Sequence, residues 1–148
     1  MVAKSKKIIA YKISILKTGQ WSVFMSKKYL GSLGEKIALK YYLTNNFVLL
    51  AKNYFTRYGE LDLIMSKDNI YYAIEVKTRT NHKYGFAEEM INNNKIDKMH
   101  KTAYLFAPQA DWHLEIIVID MYGKQAKIQR FAIYDYWLIG QNTVEYVC

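Results

Sequence analysis

The chain has 148 residues, 51% of them hydrophobic, enough for one domain with a real core, and its one cysteine excludes a disulfide framework or a thiolate metal site. The formal charge of +8 invites a nucleic-acid partner, but residues 1–28 hold seven lysines and no acid; taking these seven from the 21 cations leaves 14 basic against 13 acidic residues in 29–148. A uniformly basic DNA-binding body is therefore excluded, and no apolar run approaches membrane-spanning length.

Residues 1–30 read as a basic amino-terminal extension, with Met25 as an alternative start. Lys12 interrupts the apolar stretch of Met1–Leu16 and no small-residue cleavage site follows, so the segment does not read as a signal peptide and a cytoplasmic location is expected. The folded domain is expected over 31–148. Leu33, Ile37 and Tyr41 mark one face of a helix over 33–44, which Asn45-Asn46 would close in the left-handed region. Phe47–Asn53 reads as a strand, followed by a hairpin over 60–66 and 70–78. After a polar connection, a helix over 87–107 turns Ile91, Met99, Ala103 and Phe106 inward and ends before Pro108. Leu114–Asp120 and Lys127–Tyr134 read as strands separated by Gly123. The order α-β-β-β-α-β-β predicts an α/β fold with a mixed sheet of about five strands flanked by helices.

The hairpin raises an electrostatic question. Asp68-Asn69 tolerates positive φ and makes a two-residue turn, so cross-strand partners have numbers summing to 137. That register sets Leu61, Leu63 and Met65 against Val76, Ile74 and Tyr72, and on the other face it sets Glu60 against Lys77 and Asp62 against Glu75. Directly opposed like charges destabilise a strand pair. A divalent cation would compensate: Asp62, Glu75 and the Val76 carbonyl offer an all-oxygen set suited to Mg²⁺ or Mn²⁺. Lys77, on the same face as Glu75, would orient a water or offset charge on a phosphate. The competing reading is a solvated hairpin face with a Glu60–Lys77 surface pair.

Other residues carry two readings each. Ser32-Leu33-Gly34-Glu35 has the form of a capping box, which would occupy Glu35 at the helix start; alternatively Glu35 faces the hairpin and holds a metal-bound water or a second cation. Lys95 falls on the inward stripe and either snorkels to the helix edge or reaches a phosphate near the carboxylates. Arg57 and Arg79 bracket the hairpin, where they would grip backbone phosphates or simply face solvent. His82, His100 and His113 have no zinc-like spacing, and the fourteen tyrosines read as core and sheet surface.

The ordered set Gly31-x-x-Gly34-Glu35-x-x-Ala38, Asn53-Tyr54, Gly59-Glu60-Leu61-Asp62-Leu63-Ile64, Glu75-Val76-Lys77-Thr78-Arg79, Gly85-Phe86-Ala87 and Lys95 resembles the PD-(D/E)xK nuclease superfamily. Within it the chain is most similar to the YraN-like family of small bacterial endonuclease-like proteins, and more distantly to archaeal Holliday junction resolvases. The resemblance runs from about Gly31 to Asp120 and implies a restriction-endonuclease-like core. It also implies Asp62 and Glu75 as metal ligands, Lys77 as the catalytic lysine and Glu35 as an auxiliary acid. His113-Leu114-Glu115 departs from the family pattern in a way that alters a support of the sheet, not the site. The expectation is a Mg²⁺- or Mn²⁺-dependent nuclease on DNA in preference to RNA, with no membrane partner. A junction resolvase would further require a homodimer. The alternative is a non-catalytic nucleic-acid-binding protein of the same fold.

Overall fold

A computed structural model describes residues 26–80, 92–123, 125–134 and 137–147. Two helices and six strands follow in the order α1 (Lys27–Thr44), β1 (Val48–Thr56), β2 (Gly59–Lys67), β3 (Ile70–Arg79), α2 (Asn93–Phe106), β4 (Trp112–Tyr122), β5 (Gln125–Tyr134) and β6 (Trp137–Val147). The strands form one sheet in sequence order. All neighbours are antiparallel except β3 and β4, whose parallel pairing requires the crossover that α2 provides. The mixed sheet flanked by helices is thus as the sequence predicts, and β6 extends it.

Two buried clusters show how the helices cover the sheet. Ile37, Ala38, Tyr41 and Tyr42 of α1 pack with Leu63, Met65, Ile74, Ile117 and Ile119. Ile96, Met99 and Ala103 of α2 pack with Leu61, Ile64, Ala73 and Leu114. Ala73 and Ile74 are adjacent on β3 and belong to different clusters, so the helices lie on opposite faces.

Helix α1 begins earlier than its sequence suggests. Ser26 is the N-cap, its hydroxyl accepting from the Tyr29 amide at 3.2 Å, so Ser32 and Glu35 lie inside the helix and the predicted capping box does not form. Leu30 already packs against the core, which extends the apolar stripe by one turn. The predicted stop holds, with Asn45 as C-cap and Asn46 at φ 64°. For α2 the described helix starts at Asn93, capped by the Asn92 side chain; Ile91, His82 and Gly85-Phe86-Ala87 lie outside the described residues.

A buried ionic group ties α1 to β4 and β5. The Tyr42 hydroxyl donates to Glu115 Oε2 at 2.6 Å, and Arg130 Nε donates to the same oxygen at 3.1 Å while its Nη2 pairs with Oε1 at 2.5 Å. Burial and the Glu115 charge push the Tyr42 hydroxyl well above its ordinary range, so it stays a donor. Glu115 is accordingly a support between sheet and helix.

Candidate active site

The turn chemistry of the hairpin is as predicted: Asp68 and Asn69 have φ of 51° and 64°, and the pairs Lys67–Ile70, Met65–Tyr72 and Leu63–Ile74 all obey the expected register. The ladder ends there. Hydrogen-bonded pairs recur every second residue from Lys67–Ile70, so an unbroken ladder would give the Val76 amide to the Leu61 carbonyl. Instead Val76 N–H donates to Asp62 Oδ2 at 2.7 Å. The predicted pairs Leu61–Val76, Asp62–Glu75 and Glu60–Lys77 therefore do not form, and the Asp62 side chain fills the gap between the strands.

The cause lies on the neighbouring strand. β1 and β2 pair Lys52 with Leu63 and Tyr54 with Leu61, passing over Asn53 and Asp62. Asn53 has φ 48°, a left-handed conformation that asparagine tolerates better than most residues. On both strands the side-chain alternation switches at this point: Ala51 and Tyr54, like Leu61 and Ile64, all pack toward α2 although their spacing is odd. The switch turns Asp62 out of the ladder.

Glu75 is nearly buried, 5% exposed, on the α2 face of β3. Each of its oxygens holds an ammonium group: Lys77 Nζ lies 2.7 Å from Oε1, and Lys95 Nζ lies 2.7 Å from Oε2. Lys95 thus reaches the carboxylates, as one of its two sequence readings had it. Asp62 has no cationic partner among the described residues. Burial, first, and then the Glu75 charge push its carboxyl up to about 7, with Glu35 and Glu60 adding to the rise and the Val76 amide opposing it. Glu35, released from any capping role, is thereby close enough to Asp62 to be felt. Its approach follows from tight packing of α1 on β3, where a β-carbon added at Gly34 would overlap the Thr78 hydroxyl.

No three His, Cys, Asp or Glu side chains converge as a metal cage among the described residues. The donors that do converge are hard oxygens in a half-buried setting, one of them a carboxylate that lacks a counter-charge. That set fits Mg²⁺ or Mn²⁺, which take few protein ligands and keep waters, better than a softer metal. A cation would compete with Lys77 and Lys95 for Glu75.

The two arginines differ. Arg79 forms a two-pronged pair with Asp120, at 2.6 and 3.0 Å, with its side chain 18% exposed, so it braces β3 against β4 and does not stand free as a phosphate grip. Arg57 is exposed in the β1–β2 turn, its guanidinium 4.8 Å from the Tyr58 ring centroid. The sequence reading has Asn53 only as a member of the motif that carries the resemblance, with no role at the site, and it takes Tyr58 and Tyr104, which line an open cavity, as core or sheet surface.

A model of the uncharacterised protein family UPF0102 matches residues 34–135. A UPF0102 protein of Vibrio parahaemolyticus is 34% identical over 105 residues, covering 67% of this chain and 87% of that protein. One from Syntrophomonas wolfei is 40% identical over 77 residues, 52% of this chain and 67% of the relative. Another, from a Sulfurihydrogenibium species, is 40% identical over 82 residues, 55% and 71% of the two chains.

Proposed function

The chain belongs to the UPF0102 (YraN-like) family within the PD-(D/E)xK-like nuclease superfamily, and from that premise we propose that it is a metal-dependent nuclease that hydrolyses phosphodiester bonds in DNA. One observation carries the reading: Asp62 leaves its strand ladder and accepts from the amide of Val76, the residue between Glu75 and Lys77, close enough to Glu75 for the two charges to repel. When bound, Mg²⁺ or Mn²⁺ would polarise a phosphate oxygen and lower the pKa of a water near neutrality. Asp62 and Glu75, with the Val76 carbonyl, would hold the ion. Lys77, its side chain 37% exposed, would orient the attacking water and offset charge developing on the phosphate. Glu35, from the opposite helix, would accept a hydrogen bond from that water. Lys95 would take a phosphate oxygen once it leaves Glu75.

The purified full chain should nick or cut DNA in Mg²⁺ or Mn²⁺, and Asp62→Ala should reduce the rate at least about a hundredfold, in the range typical of a lost catalytic group. Absence of cleavage on linear, single-stranded and branched DNA, or an Asp62→Ala variant as active as the parent, would overturn the proposal.

The second reading, a non-catalytic nucleic-acid-binding protein, draws on the two ammonium groups that already satisfy Glu75. Calorimetric titration with Mn²⁺ separates the two. Binding by the parent that is lost in Asp62→Asn supports the enzyme, and no binding by the parent supports the scaffold.

A further inference from the structure

Helix α2 leads away from the carboxylates along a line of cations. Lys95, at one end, holds Glu75; Lys98 and Lys101 follow at spacings of three, which makes each a neighbour of the last on the helix surface. Lys98 and Lys101 are exposed, and Asp97 is the one acid on the helix. The line ends at a cavity of about 510 Å³ lined by Arg57, Tyr58, His100, Lys101, Tyr104 and Trp112, among others. Its volume falls in the range of small-ligand sites.

The cavity walls are aromatic and held in place. The Thr102 and Thr56 hydroxyls lie 3.1 Å apart, and Thr56 also contacts the Gly59 carbonyl and the Tyr58 amide, so the β1–β2 turn is tied to α2. Trp112 donates to the Ala107 carbonyl at 2.9 Å and meets Phe106 edge-on. Tyr104, by contrast, is 61% exposed. Lys101 and Arg57 lie 5.8 and 4.8 Å from the Tyr58 ring centroid, so cations border the rings on the side of the turn. At a 1.5 Å rise and 3.6 residues per turn, Tyr104 lies about 13.5 Å along the helix axis from Lys95 and about half a turn around it, so the cations wind toward the cavity.

We propose that this surface binds an unpaired DNA strand, its phosphates running along Lys95, Lys98 and Lys101 and one base stacking on Tyr104 in the cavity. The inference rests on the nuclease reading for what happens at the Glu75 end, where Lys95 is engaged, but the part of the strand site on Lys98, Lys101 and Tyr104 is independent of metal. A ring open to stacking beside a row of cations suits a single strand. A duplex would offer the same phosphates while keeping its bases stacked on one another, so the aromatic wall selects substrates with an unpaired tail or flap next to the scissile bond.

The test uses the full chain in EDTA with a fluorescent oligothymidylate, a blunt duplex of equal length, and a single strand carrying 2-aminopurine. The parent should bind the single strand about tenfold more tightly than the duplex and quench 2-aminopurine. Tyr104→Ala should lose about tenfold in single-strand affinity, and lose the quenching, while its duplex affinity stays unchanged. Lys98→Ala should weaken both ligands and flatten the salt dependence by about one unit of slope. Equal binding of single strand and duplex by the parent, or Tyr104→Ala indistinguishable from it, overturns the inference. Cleavage that depends on Asp62 without any stacking signal would leave the nuclease reading standing and this one fallen; stacking without cleavage in Mg²⁺ or Mn²⁺ would do the reverse.

Discussion

Replacing the Asp62 carboxylate by the isosteric amide separates charge from shape. The unfolded chain ionises Asp62 near 3.9, whereas the folded chain keeps the proton up to about 7 because of burial and Glu75. Between those values the folded state binds more protons, so this group lowers stability as pH rises from about 4 to 7 and adds no further slope above. In EDTA, Asp62→Asn should match the parent at pH 4 and exceed it at pH 8 by on the order of 1–2 kcal/mol, a figure discounted for partial solvent exposure. Parallel denaturation curves at the two pH values would refute the account. The turn at Asp68-Asn69 and a period of two fix the register as far as Leu63–Ile74, so Glu75 and Lys77 were legible as neighbours on one face of β3, whereas the counted pairing of Asp62 with Glu75 fails because the alternation switches before it is reached. Asn53 was not legible, because a left-handed residue inside a strand depends on its partner strand, and nothing local distinguishes it from a turn asparagine.

At the level of elements, α1 and β3 meet through a glycine. A methyl at position 34 would collide with Thr78, whose β-carbon lies 2.8 Å from the added atom. Gly34→Ala should therefore cost about 1–3 kcal/mol, the usual range for overpacking, and move Glu35 away from Asp62. Thermal denaturation checks the cost, and the Gly34→Ala/Thr78→Ala double variant should regain part of it; a Gly34→Ala protein as stable as the parent would show that the helix can shift freely. The sequence reading placed the far end of this helix correctly because Asn45-Asn46 is a strong local stop. It misplaced the near end because Ser26 and Ser32 are both good caps, and only the tertiary packing of Leu30 and Leu33 chooses between them.

For the whole molecule, the mixed sheet and its two flanking helices were readable from the order of periodic segments. The sixth strand was not: Gly140-Gln141-Asn142 resembles a turn, yet Arg130 pairs with Asn142 and Phe131 with Gly140, so the extra residue is a bulge within β6. Charge is also a property of the whole chain. Residues 1–24 contain five lysines, and removing them lowers the net charge from +8 to +3. A chain beginning at Met25 should bind DNA with a salt slope reduced by no more than about 4.5 while keeping its preference for single strands, which resides on α2. Fluorescence titrations at several salt concentrations would measure both, and loss of the preference would move the recognition surface to the amino-terminal arm. β1 ends the sheet on one side, and its course is broken twice, by the register shift between Leu49 and Ala51 and by Asn53. A second polypeptide laid along that border finds too few amides in line to extend the sheet. The kink that frees Asp62 therefore also guards this border of the sheet against templated pairing.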